Sequence, residues 1–166
     1  MLFKYSITNS TYEALYNFAL SPDGSAPCGT MALDKLANLY GATKNGGLIG
    51  DGTVFELDAS DAETVLYNFT GQAGGGFPNG GVLHSTDGHL YGTTIDGGSN
   101  SDGTVFELAN PNGNWQETVL HSFGTFGDDG QRPYSGVIMD SKGDLFGTTS
   151  EGGTNVAGTV WEITPI

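Results

Sequence analysis

A chain of 166 residues with five basic side chains against nineteen acidic ones, a formal charge of −14, has room for one domain with a buried core and repels phosphate backbones and anionic membranes. Nucleic acid is thereby excluded as a partner, and no run of 18 apolar residues is present to insert into a membrane. With 28 glycines beside 37% hydrophobic residues, glycine punctuates a folded chain rather than diluting a disordered one.

Met1-Leu2-Phe3-Lys4 lacks the basic start and long apolar stretch of a secretion signal, so the expectation is a soluble chain whose export signal is removed or left out. A short strand-like LFKY (Leu2 to Tyr5) comes first. Four blocks follow: YEALYNF from Tyr12, CGTMALD from Cys28, LYGAT from Leu39 and GTVFEL from Gly52. They return as ETVLYNF from Glu63, GGVLHS from Gly80, LYGTT from Leu90 and GTVFEL from Gly103. A third set reads ETVLHSF from Glu117, SGVIMD from Ser135, LFGTT from Leu145 and GTVWEI from Gly158. The GTVFEL block steps by 51 and then 55 residues; the extra residues fall between Leu108 and Glu117 and between Phe123 and Pro133, which marks both as surface loops. Residues 1–166 thus read as one repeat domain, with units at approximately 12–57, 63–108 and 117–163 and with 1–11 as a partial strand and linker.

Each block is short, rich in Val, Leu, Thr, Tyr and Phe, and bracketed by Gly, Asp, Asn or Ser, the pattern of antiparallel strands. Alternation in GTVFEL sets Thr104, Phe106 and Leu108 on one face and Val105 and Glu107 on the other. Phe55, Phe69, Phe106, Phe123 and Trp161 are therefore expected to be buried between neighbouring sheets. Asp87-Gly88 and Lys142-Gly143 suit hairpin turns. A four-stranded meander of about 50 residues in tandem is the arithmetic of a β-propeller blade. The fold expected is all-β, a β-propeller with three four-stranded blades per chain; a threefold β-trefoil is the alternative.

The sequence GTVFEL, ETVLYNF, PNGGVLHSTDGHLYGTTIDGG resembles the GloVer repeats of bacterial choice-of-anchor tandem-repeat proteins. The resemblance implies a secreted or surface-anchored repeat protein, extracellular or at the cell surface, with no catalytic motif to carry over. By analogy with other propellers, GGVLHS is labelled strand A, the innermost, HLYGTT strand B, GTVFEL strand C and ETVLYNF strand D.

That labelling places 44–51, 95–102 and 150–157, with the loops ending at Pro27, Pro78 and Pro133, on one rim. The recurrent Gly46-Gly47, Gly97-Gly98 and Gly152-Gly153 read as turns, since no helix follows to make a phosphate cradle. Phe77, Asn79, Phe126, Gln131, Arg132 and Tyr134 offer aromatic faces and polar groups suited to a sugar. Asp96, Asp102, Asp128 and Asp129 are hard oxygen donors on glycine-rich chain, so calcium is the one cofactor these loops suggest, without an EF-hand spacing. His84, His89 and His121 occupy different strand positions and form no ligand set. Glu56, Glu107 and Glu162 share one repeat position, whereas a hydrolytic carboxylate pair needs two unlike environments. Cys28 has no second cysteine to pair with.

The expected function is a non-enzymatic scaffold or protein-interaction module, with carbohydrate binding as the alternative. The chain runs from a C-like LFKY and a leftover D strand near the amino end to a D-less last unit; the leftover D strand and that last unit are complementary, and three blades are too few to close a ring. The expected partner is a second copy, two chains closing a six-bladed homodimer; a glycan or surface protein is the other partner considered.

Overall fold

The computed structural model describes residues 1–164, which form strands and turns with no helix among them. The strands are β1 (Leu2–Ser6), β2 (Thr11–Tyr16), β3 (Ser25–Leu33), β4 (Leu39–Asn45), β5 (Thr53–Leu57), β6 (Glu63–Asn68), β7 (Gly76–His84), β8 (Leu90–Asp96), β9 (Thr104–Ala109), β10 (Gln116–Ser122), β11 (Gly130–Gln131), β12 (Ile138–Met139), β13 (Leu145–Thr149), β14 (Glu151–Gly152) and β15 (Thr159–Ile163).

β3 to β6 make one antiparallel meander and β7 to β10 a second. One parallel bridge, Thr30 with Gly81, joins them into an eight-stranded sheet ordered β10-β9-β8-β7-β3-β4-β5-β6. The A strands are thus innermost and the D strands outermost. β12, β13 and β15 repeat strands A, B and C, and the short β11–β14 pair continues A and B towards the rim, as Ser25–Asn45 and Gly76–Asp96 do in the earlier units. At the amino end β1 and β2 pair alone as a C–D hairpin. This radial arrangement of meanders is of the β-propeller type, and the trefoil alternative does not form.

The recurrent motifs are explained by what each side chain meets. A Cβ on Gly41, Gly92 or Gly147 would lie 2.6, 2.5 or 2.2 Å from the ring of Phe55, Phe106 or Trp161, so the glycine of LYG and LFG is the floor under the aromatic ring of strand C. The preceding D strand closes the stack: Phe18 meets Phe55 at 5.0 Å, Phe69 meets Phe106 at 5.1 Å and Phe123 meets Trp161 at 5.9 Å between centroids. The recurrent threonines pair hydroxyl to hydroxyl across strands B and C, Thr43 with Thr53, Thr94 with Thr104 and Thr149 with Thr159, each at 2.8 Å. Val54 on the opposite face of strand C packs with Tyr40 against Phe69, Val82, Leu90 and Phe106 of the next unit.

Phe55, Phe69, Phe106 and Phe123 are buried as expected. Trp161 departs from that expectation. It is only half-buried, because β15 has no D strand beside it, and its indole N–H is enclosed without an acceptor.

Candidate functional site

Loops 44–51, 95–102 and 150–157 share one backbone shape. Their glycine pairs all have φ between 76° and 85°, and the N–H groups of Gly52, Gly103 and Gly158 donate to the carbonyls of Gly46, Gly97 and Gly152 at 3.1, 3.1 and 3.0 Å. Each loop is tied to the D–A loop of its own unit: Gly47, Gly98 and Gly153 donate to the carbonyls of Leu20, Gln72 and Asp129. Both sets of loops therefore form one rim.

On this rim Phe77 and Arg132 hold one repeat position, each with φ of 55°, and donate their N–H groups to the carbonyls of Asp51 and Asp102 in the preceding unit. Asn79 and Tyr134 share the position two residues on. The Asn79 amide donates to the Tyr134 carbonyl at 3.3 Å, and both residues line an axial hollow of about 510 Å³ with Thr30, Val137 and Ile138. Gln131 donates to the Asp102 carboxylate at 3.1 Å, and Arg132 Nε lies 3.8 Å from Glu151. Phe126 is exposed and does not line the hollow. The structure thus gathers Asn79 with Tyr134 and Gln131 with Asp102, rather than all six residues.

Two of the four loop aspartates, Asp129 and Asp102, hold protein partners through their carboxylates. Asp129 binds His121 Nε2 at 3.0 Å and the Gly130 N–H at 2.8 Å, while Asp102 holds Gln131. The backbone carbonyl of Asp96 accepts from Thr94, and Asp128 points to solvent. Among the described residues no three His, Cys, Asp or Glu side chains gather in a metal-holding group.

The opposite rim carries the A–B turns. Asp34 and Asp140 cap two of them by accepting N–H groups from Leu36 and Asn38, and from Lys142 and Asp144. Ser85 caps the middle turn, accepting the His89 N–H at 3.0 Å and donating its own hydroxyl to Asp87. His89 then reaches strand C: its Nδ1 lies 2.6 Å from Glu107 Oε1, which also accepts from the Tyr91 hydroxyl at 2.9 Å. The carboxylate fixes the ring's orientation. This group lines a cleft of about 680 Å³ with Leu83, His84, Met139 and Lys142.

The largest departure from the repeat lies at the two ends. On β15 Val160 is 82% exposed, whereas Val54 and Val105, at the same repeat position, are 0% exposed. Ile138 on β12, two strands away in the same sheet, is exposed as well. On the opposite end Met31 is 44% exposed, against 4% for Val82 and 7% for Val137. Between units the outer strands are linked by rungs: the Tyr67 hydroxyl donates to Glu117 at 2.9 Å and Tyr16 to Glu63 at 3.4 Å. Burial pushes the Glu117 carboxyl up to about 7, only partly offset by the Tyr67 hydrogen bond, and raises Glu63 in the same sense.

A family model described as the Gloeobacter/Verrucomicrobia repeat matches residues 1–166. The chain belongs to this repeat family. No curated protein matches it significantly. Among solved structures it is similar to the X-ray structure of a candidate gluconolactonase, with a TM-score of 0.58 and 13% sequence identity, over 95% of this chain and 54% of the other. At that identity the likeness shows the fold alone, a β-propeller type. The repeat chain spans about half the length of that neighbour.

Two features of this repeat-family chain escape a reading of the sequence. The sequence offers His89 among three histidines and Glu107 among three repeat-equivalent glutamates; what joins the two is register, since Tyr91 pairs with Glu107 and leaves that carboxylate diagonal to His89 at the end of strand B. The C-like LFKY and the D strand pair with each other as the hairpin of β1 and β2, so the D-strand edge that the sequence leaves open is covered.

Proposed function

We propose that the chain is a non-enzymatic interaction module that works by associating with a second copy through its two end faces, closing a ring of six blades. The observation that carries this is Val160, 82% exposed where its counterparts are 0% exposed, matched at the other end by Met31. In the interior of the chain, the face bearing Val54 packs on the face bearing Val82. The last unit offers the first kind of face and the first unit offers the second, so one copy can continue into the next with the contacts already used between units. Apolar faces of this kind mark association sites.

The setting we propose is extracellular or at a cell surface, supported by the charge of −14, which keeps an exposed repeat surface dispersed. Sedimentation velocity tests the proposal: a species of twice 17.2 kDa is expected, and Val160→Asp is expected to return it to the monomer. Equal behaviour of the variant and the wild type would contradict the face assigned. A second reading, carbohydrate binding at the rim, is favoured by the exposure of Phe126 and Tyr134. Glycan-array binding that is lost in Phe126→Ala and Tyr134→Ala would select it.

A further inference from the structure

β2 sits where a D strand belongs. Its side chains meet the β3–β6 meander as β6 meets the β7–β10 meander, Phe18 on Phe55 like Phe69 on Phe106 and Tyr16 on Glu63 like Tyr67 on Glu117. β1 sits where a C strand belongs: Leu2 pairs with Tyr16, Phe3 with Ala14, Lys4 with Glu13 and Tyr5 with Tyr12, with a register shift after Leu2. In β5–β6 the same pattern reads Val54 with Tyr67, Phe55 with Val65, Glu56 with Thr64 and Leu57 with Glu63, with the shift after Val54. β1 is therefore a C strand in register but not in packing. Phe3 is 56% exposed where Phe55 is 0%, since no strand B lies beneath it, and a hollow of about 160 Å³ remains beside Met1, Leu2, Met31 and Phe55. At the other end β15 is a C strand, already paired with β13 on one side and open on the other.

Both β1 and β15 thus fit one edge of β2. Resting on the association proposed above, we propose that β1 is a displaceable placeholder: it covers β2 in the free chain and yields its place to β15 of a second copy. The incoming strand brings β12 and β13 with it, so that β12, β13, β15 and the second copy's β2 make a complete four-stranded unit. In place of β1, Trp161 stands opposite Ala14 and Val160 opposite Tyr16, the pattern of the interior units. A hairpin of two strands is marginal by itself, whereas a fourth strand added to three is a stable sheet, and the exchange leaves no open strand-C edge. One contact resists it. Lys4 faces Glu13 in the free chain, and exchange sets Glu162 against Glu13, a like-charged cross-strand pair where the other units have threonine. The placeholder is thereby favoured at low protein concentration and gives way as concentration rises.

The test uses the full chain with Cys28→Ser to remove the native thiol. Lys4→Cys with Glu13→Cys locks β1 onto β2 when oxidised. The oxidised lock is expected to remain monomeric in sedimentation velocity, and dithiothreitol is expected to restore association. Glu13→Thr, which leaves the fold's apolar contacts intact, is expected to tighten association by about two- to five-fold, the size of one like-charged cross-strand pair. If the wild type associates and the oxidised lock associates equally, the hairpin docks intact and the exchange is wrong while the association stands. A wild type that stays monomeric at every concentration overturns both.

Discussion

Glu117 is pulled in two directions, by burial that favours its neutral form and by the Tyr67 hydroxyl that favours its charge, and burial prevails to leave it near 7 against an ordinary 4.5. In the window between those values the folded chain keeps a proton that the unfolded chain has released. Its contribution to stability is therefore complete below about 4.5 and lost as pH rises through about 7. The thermal midpoint is expected to fall between about pH 5 and about pH 8, and Glu117→Gln, held neutral throughout, is expected to flatten part of that fall. Parallel profiles for variant and wild type would contradict the assignment. Phe106→Ala is expected to cost about 3 to 5 kcal/mol in urea unfolding, since it empties the stack between Gly92 and Phe69. The burial of Phe106 could be read from its recurrence and its strand alternation. The role of Gly92 could not, because it depends on which residue of strand C lies across it, and register is a property of two strands rather than of either sequence.

At the scale of the element, strand positions were readable because each apolar block is short, alternates, and ends at Gly, Asp or Asn, which leaves the backbone few other choices. Strand edges were not. YEALYNF reads as a D strand with a free edge, and only the pairing of Lys4 with Glu13 and Tyr5 with Tyr12 reveals that LFKY has taken that edge. The two segments consequently differ in what their removal does. Deleting residues 1–18 strips Phe18 from Phe55 and is expected to lower the thermal midpoint and abolish association, whereas deleting 1–6 alone is expected to preserve association. Loss of association in both truncations would make β1 part of the contact. The rim loops give a further check. Asp129 and Asp102 are already held by His121 and Gln131, so the midpoint is expected to be the same with calcium or with chelator; a rise with calcium would show that the ion displaces these partners.

For the whole molecule, tandem recurrence at 51 and 55 residues announced the architecture, because a four-stranded unit that buries both faces against its neighbours must stack radially or in line. What recurrence cannot convey is how the stack ends. Val54, Val105 and Val160 are one letter in the repeat, yet two are enclosed and the third faces solvent, a difference that belongs to the neighbour and not to the valine. The His89–Glu107 pair is similar in kind: histidine stands where the sister units have Asn38 and Asp144, and it gives the cleft an imidazole set against the strand-C carboxylate. The claim on which the rest depends is that the two end faces complete each other. Sedimentation velocity across a concentration series tests it most directly. The account predicts a shift from 17.2 kDa to a closed species of twice that mass with nothing larger; a monomer throughout, or an open series of ever longer species, would contradict it.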